Sequence, residues 1–333
     1  MATASPSLNR SPAGVVINDT SSGNQIIRNG CFAAAVSLQP TTPGHTIITA
    51  DGIDNFAALS VEDFISLMTF TKATARALED AIGVQRIGLA ADDKTINLIP
   101  LHGLEKDWEA VVHTEEVFHA TYPGYLNSKN GPKMSASDLE AMRTMIAAVS
   151  GLPDAYDKTF HGDQDDQNLF ARIVRGELEQ WRIWEDENHV AFLTPFANTP
   201  GFTVLVPRRH SHSDIFRLDD TSYNSLLHAS FSVMGILKRA LGVPAVGLFF
   251  EGFEIDYTHA KLIPIHASES QSSIGSTSVQ PAPFYEKYPG YITTQPGPVG
   301  KLESLGELVG KIQQAFVNYC MCYAFWGLLC LIC

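Results

Sequence analysis

LIPIHA at residues 262–267 repeats LIPLHG at residues 98–103, and that pair decides how the chain is read. A repeated unit fixes an architecture before any single element is assigned. Two further pairs keep the same order. YPGYLNSKNGP at 122–132 returns as YPGYITTQPGP at 288–298, and TPGHTIIT at 42–49 returns as TPGFTVLV at 199–206. The offsets are 164, 166 and 157 residues, so two tandem copies differ by small insertions. A length of 333 residues gives each copy room for its own core.

The stretches between the matches agree. Phe64, Leu67, Met68 and Leu78 recur as Tyr223, Leu226, Leu227 and Leu237, at the three- and four-residue spacing of an amphipathic helix. Ser60, and Asp219 or Asp220, are the expected N-caps, and Gly83 and Gly242 stand where that helix should stop. The second copy reads as a short helix at 168–176, then strands at 181–184, 190–193 and 203–207. The long helix follows, then strands near 246–250 and 258–265. Strands in runs, rather than alternating with helices, predict an antiparallel sheet with helices on it, hence an α+β fold. Last helices are expected at 302–316 and, in the first copy, at 139–149. The expected division is a disordered tail at 1–12, a first domain at 13–150, an acidic linker at 151–167, a second domain at 168–316 and an apolar tail at 317–333.

Composition narrows the partners. The formal charge of -13 repels phosphate backbones, so no nucleic acid is expected. A small phosphorylated ligand is not excluded, because local amides can outweigh the mean field. Residues 1–14 have no apolar core of a signal peptide, and Cys31 is the one cysteine before residue 320. Both fit a reducing, cytoplasmic setting without a disulfide framework. Residues 315–333, AFVNYCMCYAFWGLLCLIC, carry no charge. They leave open a weak membrane attachment, through a tail anchor or lipidation of Cys320 or Cys322, a tail lying on the body, and a mistranslated end.

The residues preceding LIPIHA carry the chemistry. Asp256-Tyr257-Thr258-His259-Ala260-Lys261-Leu262-Ile263-Pro264 resembles the signature strand of the histidine triad (HIT) superfamily, H-x-H-x-H followed by an apolar pair. Its finer form is similar to a subfamily reading H-x-H-A-K-L. Phe170-Ala171-Arg172-Ile173-Val174-Arg175-Gly176-Glu177 resembles the family's opening helix, F-x-K-I-x-x-G-E. Glu185-Asp186 through Leu193 resembles E-D-x-x-x-A-F-L, and Pro200-Gly201 through His210 resembles P-G-H-x-L-V-I-P-K-x-H. The resemblance covers most of 168–267 and, through the repeat, about 16–103. It implies two HIT-like domains packed as an intramolecular pseudo-dimer, so the chain needs no second copy and can be monomeric.

The family's middle histidine attacks the α-phosphorus of a nucleotide and holds the nucleotidyl group covalently. That role falls on His259. The flanking positions, Tyr257 and Lys261, join it as catalytic candidates, although neither is histidine. Alternate residues on a strand share a face, so 257, 259 and 261 are expected at one pocket. Thr194 stands where the family has the acid that holds ribose, Phe202 replaces the His of P-G-H, and Phe253 replaces a glutamine. These three, with Glu251 and His266, are taken as ligand contacts. The first copy has Asp93, Thr95 and Asn97 at its triad positions and keeps His45 and His102, so it is expected to be catalytically dead. No metal and no cofactor is expected. Three functions stay open: a nucleotide hydrolase or nucleotidyl transferase; a repurposed HIT fold doing acid–base work such as isomerisation, cyclisation or dehydration on an apolar metabolite; and a non-catalytic binding protein.

Overall fold

A computed structural model describes residues 24–53, 55–267, 279–300 and 305–325. The expected tail at 1–12 and the last eight residues lie outside the described residues. The chain forms two compact units. One comprises residues 1–106, 280–288 and 294–333; the other comprises 107–279 and 289–293.

In the first unit β1 (Gln25–Asn29), β2 (Phe32–Val36), β3 (Thr46–Ala50), β4 (Ile87–Ala91) and β5 (Ile96–Pro100) form an antiparallel run in the order β1-β2-β3-β5-β4. Helix α1 (Val61–Ile82) crosses between β3 and β4. The second unit repeats the plan. Strands β6 (Trp181–Glu185), β7 (His189–Leu193), β8 (Thr203–Pro207), β9 (Ala245–Phe250) and β10 (Ala260–Ile265) run β6-β7-β8-β10-β9, with α4 (Asp220–Leu241) in the place of α1. This is the α+β architecture expected from the strand runs. The duplication reaches fine detail. A register shift falls between Gln25 and Ile27 in β1, and between Arg182 and Trp184 in β6, at equivalent positions. A bulge is set by local backbone geometry and conserved as a built feature, so sharing one marks descent of both sheets from one template.

The long helices end where their caps require. The Ser60 hydroxyl accepts from Asp63 N and the Asp219 carboxylate from Ser222 N, each satisfying an orphan N–H of the first turn. Gly83 and Gly242 adopt φ 76° and 66°, left-handed values open to glycine at little cost. The apolar stripes face inward: Leu67, Met68 and Leu78 are fully buried in α1, as are Leu227 and Leu237 in α4.

The division of the chain differs from the sequence expectation. Helix α2 (Ala136–Ser150) was expected with the first copy, but it packs on β6 and α4 through Leu139 and Ile146. Helix α5 (Leu305–Phe325) packs on α1 and β1 through Ile312 and Phe316. The Gln313 amide also donates to Ile26 O at 2.9 Å. Periodicity says that a helix has an apolar face; it does not say which body covers it. The segment 151–167 is likewise no solvated linker. Phe160 is 5% exposed in a core with Phe170, Phe192 and Tyr257, and the segment's carbonyls are bound by two buried arginines. Helix α5 continues past the expected tail boundary at 317. Among the described residues, no helix is long and apolar enough to cross a membrane.

Candidate functional site

The signature segment is fixed before its strand begins. Residues 257–259 precede β10, which starts at Ala260 rather than at 258. Thr258 N donates to Ser211 O at 2.9 Å and its hydroxyl to His212 O at 2.5 Å. The Asp256 carbonyl accepts from Asn168 Nδ2 at 3.0 Å and His210 Nε2 at 2.8 Å, while its carboxylate takes Ser213 N and Oγ. Asn168 also caps α3 (Leu169–Val174) by accepting from Phe170 N. One residue therefore anchors both the opening helix and the signature loop.

His259 is 4% exposed, under an edge-on Phe170 ring at 5.1 Å. Its Nδ1 lies 2.7 Å from the Tyr257 carbonyl. A carbonyl can only accept, so Nδ1 carries the proton and, in the neutral ring, Nε2 carries the lone pair. The backbone thus sets the tautomer that leaves a nucleophilic or basic Nε2.

The two flanking candidates have different settings. Tyr257 is fully buried, with its ring edge-on to Phe170 and stacked on His210 at 4.7 Å. Its hydroxyl donates to Pro207 O at 2.6 Å, and burial raises its pKa beyond the ordinary range. That placement is a core tyrosine holding β8, rather than an acid or base. Lys261 is 6% exposed. Its Nζ lies 3.3 Å from Glu251 Oε2, 3.4 Å from Glu254 Oε2 and 3.3 Å from Ser128 O. Burial alone would lower its pKa, but the two carboxylates outweigh it and hold the ammonium above the usual lysine range. Glu254 is pushed the other way: burial opposes its charge, yet Lys261, Asn130 and His259 hold it below the usual carboxylate range.

Among the remaining predicted contacts, Glu251 joins the site through Lys261. Thr194 N donates to Phe202 O, and its hydroxyl accepts from Phe196 N, so it closes the β7–β8 turn. Phe202 is buried, and Phe253 stacks on Trp108 with centroids 6.3 Å apart. His266 Nε2 donates to Pro200 O at 2.8 Å, and His102 does the same to Pro43 O at 2.8 Å. The same bond in both copies makes this histidine a brace for the Pro-Gly turn rather than a ligand contact. Sequence reasoning missed Glu254 and Ser128. Glu254 sits three residues after Glu251, a faint signal; Ser128 is 133 residues from Lys261 and gave none. Among the described residues no three His, Cys, Asp or Glu side chains group as a metal site.

The first copy lacks this arrangement. Asn97, equivalent to Lys261, donates to Ala90 O and its Oδ1 lies 3.0 Å from His45 Nε2. Thr41 N donates to His45 Nδ1, so the ring is neutral with its proton on Nε2. Burial lowers its pKa to about 4, against a smaller upward pull from Asn97. A folded pKa below the unfolded value near 6.5 means stability is fully present above about 6.5 and is lost as pH falls toward 4. His45→Gln is expected to flatten that acid-side slope in urea melts run from pH 7 to pH 4; an unchanged slope would show that His45 does not set it.

No family model matches the chain. Curated relatives do. An uncharacterized HIT-like protein of Borreliella burgdorferi is 29% identical over 109 residues, covering 29% of this chain and 73% of its own length. A 13.1 kDa HIT-like protein of Mesomycoplasma hyorhinis is 28% identical over 123 residues, covering 36% of this chain and 96% of itself. Among solved structures, a hypothetical histidine triad nucleotide-binding protein of Sulfolobus tokodaii is 20% identical, with TM-score 0.27, covering 45% of this chain and 91% of that one. A uridylyltransferase structure is 12% identical, with TM-score 0.40, covering 82% of this chain and 75% of that one. The signature segment, the duplicated antiparallel α+β plan and the curated HIT-like relatives together support placing the chain in the histidine triad superfamily.

Proposed function

We propose that this chain is a HIT-like nucleotide hydrolase or nucleotidyl transferase whose reacting atom is His259 Nε2. The observation that carries the proposal is the 2.7 Å contact from His259 Nδ1 to the Tyr257 carbonyl, which puts the proton on Nδ1 and, in the neutral ring, the lone pair on Nε2. Nε2 bonds to the α-phosphorus of a nucleotide as the bond to the leaving group breaks. Water or another acceptor then cleaves the P–N bond and restores the imidazole. A small-molecule ligand fits the family's nucleotide-binding members, and the second copy alone carries the chemistry.

The test is adduct trapping with a nucleoside phosphoramidate and with a dinucleoside polyphosphate, read by mass spectrometry. A nucleotidyl adduct on His259 is expected. His259→Ala should abolish it and lower turnover by at least about a thousandfold while the chain stays folded at the assay temperature, as read by circular dichroism. Turnover unchanged in His259→Ala would refute the assignment.

One observation favours a second reading. Lys261, the cation nearest in sequence to His259, is held between two carboxylates, a setting that disfavours an incoming phosphate. In this reading Nε2 removes a proton from an uncharged metabolite, as in an isomerisation, cyclisation or dehydration. Absence of any adduct, together with exchange of substrate hydrogen for solvent deuterium that depends on His259, distinguishes it from the first.

A further inference from the structure

The helix side of the second unit's sheet holds a cavity of about 520 Å3 that the His259 site does not use. Adjacent residues of an extended strand point to opposite faces. Val190, Val206 and Tyr257 lie in the core on the α3 side. Their neighbours His189, Pro207 and Thr258 line the cavity on the α4 side. The sheet therefore separates this cavity from the His259 ring. Its volume falls in the range of about 300–1,000 Å3 that small-molecule pockets occupy.

The lining has a definite chemistry. His189 is 3% exposed, and its Nδ1 lies 3.2 Å from Asp186 Oδ1. That carboxylate also accepts the backbone N–H groups of Asn188 and His189, which fixes it in place. With Nδ1 donating, the neutral ring keeps Nε2 as an acceptor. Arg209 is placed by its Nε, which donates to His161 O at 3.2 Å. Glu187 adds a carboxylate, Ser222 and Ser225 add hydroxyls from the first turns of α4, and Leu218 and Leu226 add an apolar wall.

The first copy carries an aromatic residue at the position equivalent to His189. Phe32 pairs with Ala50 as His189 pairs with Pro207, and its ring lies 5.9 Å from Phe70 of α1. An aromatic contact in one copy is a histidine–carboxylate pair beside a cavity in the other.

We propose that this cavity binds a neutral, hydroxyl-rich small molecule, a monosaccharide or polyol. Donors and acceptors both line it: Arg209 donates, His189 and Glu187 accept, the Ser222 hydroxyl accepts because its own proton goes to Asp219 Oδ2 at 2.7 Å, and the Ser225 hydroxyl does either. Leu218 and Leu226 suit the C–H face of a sugar ring. Glu187 and Arg209 both line the cavity, with Asp186 behind His189, so the lining carries no excess of cations to select an anion over a neutral polyol.

The test uses the full chain and saturation-transfer NMR with methyl glucoside, methyl galactoside, ribose and myo-inositol. At least one is expected to bind, His189→Phe to weaken it at least tenfold, and His259→Ala to leave it within twofold. Phenylalanine is the first copy's own residue here; if that variant melts early, Ser225→Leu narrows the cavity from the helix side with the same expected loss. The proposal is overturned if none of the four binds at about 10 mM, a ceiling weaker than the millimolar affinities of poor ligands. It is also overturned if binding survives both variants, or if inorganic phosphate binds there while no polyol does. None of these results depends on adduct formation at His259, so the two sites succeed or fail separately.

Discussion

Replacing Arg208 by methionine is expected to remove about 3–5 kcal/mol of folding stability, the usual cost of breaking a buried ion pair from one side. Arg208 is 0% exposed, yet each arm of its guanidinium has a partner. Nε donates to Asp186 O at 2.8 Å, Nη1 to Asp157 O at 2.8 Å and Thr159 O at 3.1 Å, and Nη2 to Glu185 Oε2 at 3.0 Å. Arg182, also 0% exposed, reaches the same Glu185 and the same Asp157 carbonyl. Removing Arg208 orphans Asp186 and Thr159 carbonyls and leaves Arg182 and Glu185 to carry the network alone. The change also releases the 151–167 segment, whose carbonyls Arg208 ties to β8. Urea melts should show the loss, and limited proteolysis should cut first within 151–167. Arg208→Lys should recover little, because one ammonium cannot reproduce the fork. A loss below about 1 kcal/mol would mean that the carbonyls find other partners.

The second large effect is expected at Lys261. Lys261→Met leaves Glu251, with a side chain 3% exposed, beside Glu254 without the cation between them. Its cost is about 3–5 kcal/mol near neutral pH. Glu254 contributes less, since a third of its side chain reaches solvent. The pH dependence carries the sign. Glu254 titrates below its ordinary value near 4.5, so it stabilises the native chain above that value, and this is lost as pH falls through the folded pKa. Lys261 titrates above its ordinary value near 10.5, so its contribution is lost only in strong alkali. In Lys261→Met burial still opposes the Glu254 charge while its main cation is gone, so the variant's deficit should shrink as pH falls from neutral toward about 4.5. The triple change Lys261→Met, Glu251→Gln and Glu254→Gln should recover most of the loss at neutral pH. A deficit independent of pH would show that lost packing, rather than unpaired charge, sets the cost.

Much of this protein was legible because its chemistry is local. The N-caps, Ser60 in α1 and one of Asp219 and Asp220 in α4, and the C′ glycines Gly83 and Gly242 act within a few residues, so they placed both helices, and the structure selected Asp219. Repetition of LIPIHA and TPG fixed the duplication, and the strand runs fixed the α+β class. His259 was legible as the histidine in the signature register. Its tautomer followed from the carbonyl two residues earlier, a contact that no spacing rule encodes.

Tertiary structure decided what depends on distant partners. It turned Tyr257 into a core residue, because the Pro207 carbonyl and the Phe170 and His210 rings close over it from β8, α3 and the β8–α4 connection. Lys261 became an ion-pair hub through a loop carbonyl 133 residues away and two glutamates, one of them unforeseen. Five aspartates made 151–167 look solvated, yet what holds that segment is its backbone, bound by arginines whose burial no composition reveals. The sequence by itself determined the repeat, which is a likeness of segments, and the helix ends, which rest on caps acting within a few residues, and it singled out His259 by register. Folding decided which body α2 and α5 cover and whether a charge is paired, since both depend on groups that meet only once the sheets are built.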